Sequence, residues 1–120
     1  MHDIRPDVEK NRLTLTLKGV FNKREGEQCV TDIVSAVNQL KRGFDVITDI
    51  SEFEGSDKKS DEFLQGVLKF LVIRGVKRVI RVVGGSREAL VKFARVTIQL
   101  DKYPVQYVPT MGDAEKILNS

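Results

Sequence analysis

The stretch that decides the fold is residues 44 to 75, FDVITDISEFEGSDKKSDEFLQGVLKFLVIRG, which predicts a strand, a polar loop and a helix. In residues 44 to 50, Phe, Val and Ile alternate well enough with Asp to give the period of two of a strand. Residues 52 to 59 are polar and predict a loop. Ser60 is a favoured N-cap residue, and apolar side chains then recur at helical spacing as far as Gly75.

Upstream of this stretch, the pattern predicts a hairpin and a helix. Strand signals occupy residues 4 to 9 and 12 to 19, with a tight turn at Lys10 and Asn11 between them. From residue 23 to residue 41, apolar positions recur at helical spacing, and Gly43 follows as a stop signal.

Downstream, the chain continues to alternate strands with helices. Residues 76 to 83 are β-branched and predict a central strand, residues 103 to 108 predict a short last strand, and Thr110 can cap a final helix. Between the two strands a third helix is expected, whose apolar stripe comprises Leu90, Phe93, Ala94 and Thr97.

The element order β-β-α-β-α-β-α-β-α predicts an α/β fold over one domain, residues 1 to 120. Crossover connections imply a mostly parallel sheet with an antiparallel N-terminal strand. In several strands apolar residues alternate with polar ones, so we expect about four helices mainly on one face of the sheet. A doubly wound, flavodoxin-like arrangement is the alternative. The expected core includes Leu15, Ile33, Val46, Leu68, Ile80, Phe93 and Val105.

Composition predicts an ordinary globular protein. The 120 residues are 41% hydrophobic and 31% charged. The apolar run at residues 70 to 73 is far shorter than a membrane span, and the N-terminus lacks the pattern of a secretory leader, so we expect a cytoplasmic protein without membrane insertion.

The chain has one cysteine, Cys29, and one histidine, His2. That scarcity excludes Cys/His zinc sites, Ser-His-Asp triads and Cys-His pairs. We therefore expect no catalytic residue, no metal and no cofactor. Cys29 lies on the apolar stripe of the first helix and is expected to be a buried thiol, whereas His2 is expected to fray.

The segment Val46-Ile47-Thr48-Asp49-Ile50-Ser51, followed by a loop and a helix with Gly66-Val67-Leu68, resembles the STAS domain family of anti-sigma-factor antagonists over residues 4 to 118. The resemblance implies the SpoIIAA-like fold and a non-enzymatic binding or regulatory module. In that family a partner kinase phosphorylates a serine at the start of the helix after this strand. An ungapped alignment places Asp57 at the family's Asp.

The same alignment puts Lys58 and Lys59 where the family has serines. The chain therefore looks more like the uncharacterised SpoIIAA-like relatives that lack the phosphorylation site. Ser56 or Ser60 could have taken over the phosphate, but Asp61 and its neighbours already place negative charge there, which favours a loop residue and an N-cap instead.

The expected working surface lies where loops leave the strand C-termini, because helix starts point free N–H groups there. Gly84, Gly85, Ser86 and Arg87 are a candidate anion site on this edge, with an ordinary strand-to-helix turn as the alternative. Asp45 and Asp49 invite a metal or acid/base interpretation, against that of a solvated strand face. The candidate partner-binding residues are Ser51, Glu52, Glu54, Ser56, Asp57, Lys58, Lys59 and Ser60.

Charge is unevenly distributed along the chain. Residues 43 to 68 carry seven acidic and two basic side chains, whereas residues 69 to 102 carry nine basic and two acidic ones. Such a basic segment could bind an acidic protein surface, nucleic acid or anionic lipid, but a plain solvated face is the simplest account. Because exposed aromatic residues are not interleaved with the basic ones, we expect no nucleic-acid partner. The basic residues are Lys92, Arg95 and Lys102 of the third helix, with Lys77, Arg78 and Arg81 of the strand before it.

Together these features predict a cytoplasmic protein-interaction or regulatory module whose partner is another protein. The alternative is a small-ligand carrier or sensor that binds an anionic or lipid-like molecule near the strand-to-helix loops. A homodimer is compatible with either function.

Overall fold

A computed structural model describes residues 1–56, 58–85, 87, 90–91 and 105–120. Strands and helices alternate along these residues after an initial hairpin. The elements are β1 His2–Asp7, β2 Arg12–Phe21, α1 Lys23–Val37, β3 Asp45–Ser56, α2 Lys58–Ile73, β4 Arg78–Val82, β5 Val105–Val108 and α3 Met111–Asn119.

The five strands form one mixed sheet in the order β1-β2-β3-β4-β5. β1 is antiparallel to β2, and every other neighbouring pair is parallel. This confirms the predicted α/β class with an antiparallel N-terminal strand. α1 carries the chain from β2 to β3 and α2 carries it from β3 to β4, each time to the next position in the sheet.

The three complete helices among the described residues cover both faces of the sheet, two on one side and one on the other. α1 and α2 pack over the buried side chains of β2 and β3, in a cluster that includes Leu15, Ile33 and Val46. α3 packs on the opposite face, where Ala114 and Leu118 join a smaller cluster with Ile47, Ile80, Val82 and Val108.

Most of the expected core residues are buried. Leu15, Ile33, Val46, Leu68 and Ile80 are buried, and Val105 is partly buried against the larger cluster. The described residues contain three complete helices rather than the four predicted. The predicted third helix falls largely outside the described residues, with Phe93, Ala94 and Thr97 among those left out.

The strand β3 is longer than its pattern predicted. The expected loop at residues 52 to 59 is wrong in its first half, because β3 continues to Ser56 beside β2. Phe53 anchors this extension: it is buried, and its ring centroid lies 5.8 Å from that of Phe21. α2 then begins at Lys58, so Ser60 lies inside the helix and is not its N-cap.

His2 does not fray, contrary to expectation. β1 begins at His2 and turns this side chain toward α1, where only 9% of it is exposed. Its Nε2 lies 2.6 Å from Oδ2 of Asp32, and its Nδ1 lies 3.3 Å from Oε2 of Glu25. The histidine therefore ties the edge strand to the helix that covers it.

Two other expectations are confirmed. Cys29 is buried in the larger cluster, and desolvation, followed by the charges of Glu25 and Asp32, raises the pKa of its thiol to about 12. Thr110 caps α3, since its side chain accepts a hydrogen bond from the Asp113 N–H at 3.2 Å. Among the described residues, no helix is both long enough and apolar enough to span a membrane.

Candidate partner-binding surface

Two of the predicted site segments come together just beyond the point where the pairing of β3 with β4 ends. Gly84 follows β4 with a φ of +55°, and it lies directly against Ser51 of β3. A Cβ on Gly84 would stand 2.9 Å from Cβ of Ser51, a distance that real Cβ atoms essentially never show. Glycine at this position therefore lets the turn approach the strand.

Hydrogen bonds hold this junction in place. The Ser51 hydroxyl donates to Oδ1 of Asp49 at 2.7 Å, and the Ser51 N–H donates to the same oxygen at 3.0 Å. On the other side, the Gly84 N–H donates to the Pro109 carbonyl at 3.1 Å. The junction thus links β3, the turn after β4 and the connection from β5 to α3.

Beyond Ser51, two irregularities in the pairing of β2 with β3 redirect the acidic side chains. The register slips between Thr16 and Lys18 and again between Gly19 and Val20, and each slip adds a residue on the β3 side. Bulges of this kind bend a strand and re-aim its side chains. Glu52 and Glu54 are both exposed as a result.

Lys18 is a member of this surface that the sequence interpretation missed. Its Nζ lies 3.1 Å from Oε2 of Glu52. Both residues line an open cavity of about 450 Å³ on the sheet, together with Asp3, Thr16 and Asp49. Only the pairing of β2 with β3 could have indicated Lys18, because it lies more than thirty residues before Glu52 in the sequence.

For the remaining candidate residues, the structure gives the secondary structure or the exposure, or does not describe the residue. Lys58, Lys59 and Ser60 form the first turn of α2, and Ser56 ends β3. Gly85 is an exposed turn residue and Arg87 is exposed. Asp57 and Ser86 lie outside the described residues, so the anion site at residues 84 to 87 stays a prediction.

The carboxylates of Asp45 and Asp49 both accept hydrogen bonds from neighbouring groups. Asp45 is buried and takes two hydrogen bonds from the guanidinium of Arg78, at 3.0 and 3.1 Å. These bonds, more than the opposing desolvation, raise the pKa of Arg78. The interpretation of a solvated strand face is therefore wrong for Asp45, which is one half of an ion pair.

Contrary to expectation, the strand β4 does not add a basic surface. Arg78 is neutralised by Asp45, and Arg81 is fully buried, with its Nη1 donating to the Tyr107 hydroxyl at 2.8 Å. Lys77, just before β4, is exposed. The basic residues of the predicted third helix, Lys92, Arg95 and Lys102, lie outside the described residues.

The chemistry of this surface is that of paired charges and exposed carboxylates. Within the described residues no group of three or more His, Cys, Asp or Glu side chains could hold a metal ion. Ser51 and Asp49 bond to each other, while both ring nitrogens of His2 face Glu25 and Asp32.

Comparison with solved structures shows a SpoIIAA-like fold. The anti-sigma factor antagonist SpoIIAA in its unphosphorylated form matches with a TM-score of 0.69 at 15% identity, covering 100% of this chain and 99% of that chain. SpoIIAA of Bacillus in the phosphorylated form matches with a TM-score of 0.66 at 14% identity, covering 98% of this chain and 99% of that chain.

An uncharacterised protein of the DUF3478 family from Shewanella loihica PV-4, with a SpoIIAA-like fold, matches with a TM-score of 0.72 at 20% identity. The match covers 98% of this chain and 93% of that chain. No model of a protein family matches the chain, and no curated protein matches it. The likeness therefore establishes the STAS-like fold that the sequence predicted.

Proposed function

We propose that this chain is a non-enzymatic, cytoplasmic protein-interaction or regulatory module of the STAS-like class. The observation that carries the proposal is the full-length likeness of its fold to SpoIIAA, an anti-sigma factor antagonist. The ion pair of Asp45 with Arg78 also supports a binding role over catalysis, because the guanidinium bonds to both oxygens of that buried carboxylate.

The partner is expected to bind at the junction of Ser51 and Gly84 and along the exposed carboxylates Glu52 and Glu54. These residues lie beyond the carboxyl end of the β3–β4 pairing, on the side of the sheet where α/β proteins usually place their binding sites. A partner with basic side chains would find complementary charge there, which mainly raises the rate and specificity of association.

Charge reversal tests this placement. The double variant Glu52→Lys/Glu54→Lys should keep the melting temperature nearly unchanged, because Glu52 loses only an exposed ion pair with Lys18, worth less than about 1 kcal/mol. Capture of a protein partner from the native host should fall, and its salt sensitivity should fall with it. Affinity pull-down with quantitative mass spectrometry measures both.

The matched control is Glu9→Lys/Glu115→Lys, which makes the same change of charge at exposed positions of the β1–β2 turn and of α3. It should capture the partner as the unaltered chain does. If capture survives the double variant but is lost on replacing Lys92, Arg95 and Lys102, the binding surface is the predicted third helix. If the host yields only a bound small molecule, the chain is a carrier or sensor.

We also propose that phosphorylation does not switch the protein at the start of α2. The basis is that Lys58 and Lys59 stand at the serine positions of the resembling family. Intact-mass and peptide mass spectrometry of the protein from its native host should find Ser56 and Ser60 unmodified. Stoichiometric phosphate on either serine would overturn this proposal.

A further inference from the structure

The outer edge of β1 has the features of a self-complementary pairing surface. In the part of the chain that the structure describes, β1 is the first strand of the sheet and pairs with β2. Met1 and Lys18 exchange both main-chain hydrogen bonds, at 2.8 and 2.9 Å. Because antiparallel ladders alternate, Asp3 and Arg5 also bond to β2, while His2 and Ile4 point their N–H and C=O groups away from the sheet.

Pro6 fits this register. It shares the outward direction of His2 and Ile4, so its missing N–H does not interrupt the ladder with β2. On the outer edge, the donors of His2 and Ile4 and the carbonyls of His2, Ile4 and Pro6 are available to another strand. A row of such groups is a template for strand addition.

The charges on β1 favour another copy of the same strand. Asp3 and Arg5 project from the sheet face opposite α1, both largely exposed, and Arg5 Nε donates to Oδ2 of Asp3 at 2.8 Å. In an antiparallel pairing centred on Ile4, each Asp3 stands opposite Arg5 of the other copy. Directly opposed charges in such pairs attract, and their side chains approach closely at non-hydrogen-bonded positions.

A groove beside the same edge offers room for the apolar side of the second strand. It has a volume of about 330 Å³ and lies between β1 and α1, lined by Ile4 and Pro6 on the strand and by Asp32, Ser35 and Gln39 near the helix. The Ile4-centred register places three side chains of the second copy toward this groove, namely His2, Ile4 and Pro6. Directly opposed residues of paired strands project from the same face of the sheet.

We propose that two copies of this chain associate through antiparallel pairing of their β1 strands about Ile4, forming one continuous sheet. Ile4 of each copy exchanges both main-chain hydrogen bonds with Ile4 of the other, and each His2 N–H meets the Pro6 carbonyl. The edge is only six residues long, so the dimer is weak and concentration-dependent. This association does not use Glu52 or Glu54, although Asp3 lines the same open cavity as Glu52.

Sedimentation velocity over a range of concentrations tests the association. The unaltered chain should show a concentration-dependent dimer. Asp3→Arg and Arg5→Asp each replace two attractive pairs by two like-charge pairs, and each should raise the dimer Kd by about tenfold or more. An equimolar mixture of these two variants should recover dimer formation, as should the double variant Asp3→Arg/Arg5→Asp, because both restore opposite charges across the interface.

Amide hydrogen exchange supplies a second measurement. Exchange at the Ile4 N–H should slow as concentration rises, whereas the Asp3 and Arg5 N–H groups, which bond to β2, should not change. Circular dichroism verifies that the variants are folded, and Glu115→Lys on α3 serves as the charge control and should dimerise normally.

Three outcomes would overturn the proposal. One is a monomer at every concentration up to about 1 mM, the range of weak contacts. Another is a dimer that the two single variants leave unchanged. The third is Ile4 protection that appears only when a foreign extended peptide is added, which would assign the edge to strand addition by a different protein.

Discussion

At the scale of single residues, Gly84 determines how closely the turn after β4 approaches β3. Its φ is positive, and a Cβ added to it would stand 2.9 Å from Cβ of Ser51. Gly84→Ala should lower the free energy of unfolding by about 1–3 kcal/mol, because alanine is strained at this φ and its methyl group forces Ser51 to move. The urea midpoint measures this loss.

Gly85→Ala is the matched control for that substitution. Gly85 has an ordinary φ, and a Cβ there would meet nothing within 4 Å. The change should leave stability within about 0.5 kcal/mol, or raise it slightly by restricting the unfolded chain. Equal losses from the two substitutions would contradict the assigned contact between Gly84 and Ser51.

Cys29 shows how burial controls the reactivity of one residue. With its thiol pKa raised to about 12, almost none of it is thiolate at pH 8. A thiol-specific disulfide reagent should therefore react with the native protein far more slowly than with the protein in concentrated urea. Cys29→Ala provides the blank, and equal rates in the two states would show that the thiol is accessible.

At the scale of elements, α3 depends on its cap because it is short. Thr110→Ala removes the side-chain oxygen that accepts the Asp113 N–H, and the free energy of unfolding should fall by about 1 kcal/mol. Chemical denaturation followed by circular dichroism measures the change. The loss should be detectable globally, since Ala114 and Leu118 of α3 complete the second core cluster.

Thr31→Ala is a control with the same chemical change inside a helix. The Thr31 hydroxyl donates to the Glu27 carbonyl at an exposed position of α1. Such a bond adds little to a helix, and alanine has the higher helix propensity, so this variant should be as stable as the unaltered chain or slightly more so. A larger loss here than at Thr110 would argue against the cap.

At the scale of the whole molecule, the contact between β1 and α1 makes stability depend on pH. The hydrogen bond with His2 is the main cause that lowers the pKa of Asp32, and the hydrogen bond with the amino terminus is the main cause that lowers that of Glu25. A carboxyl whose pKa is lower in the folded state stabilises the fold above its unfolded value of about 4, and this contribution is lost as pH falls through the folded value.

Asp32→Asn tests this linkage. At pH 6 the variant should be less stable by under about 1 kcal/mol, because the Asp32 side chain is 41% exposed and its ion pair is screened by water. The difference should shrink as pH falls from about 4 toward 2, measured by urea denaturation at each pH. Glu115→Gln, at an exposed position of α3, should show no comparable change with pH.

Local patterns in the sequence determined the order of the described elements, the mixed sheet and the cap at Thr110. These features depend on neighbours within a few residues or on the general rule that crossovers return strands in parallel. The same local patterns predicted the fold class. The buried thiol at Cys29 followed from its place on an apolar stripe.

Only the tertiary structure decided the extension of β3, the burial of His2 and the contact of Ser51 with Gly84. Glu52 and Glu54 alternate with Phe53 as strand residues do, and this short segment is a strand because it pairs with β2, where Phe21 packs against Phe53. His2 is held by Glu25 and Asp32, which its neighbours in sequence do not reveal. Each of these features depends on groups distant along the chain, and their proximity arises only when the sheet assembles.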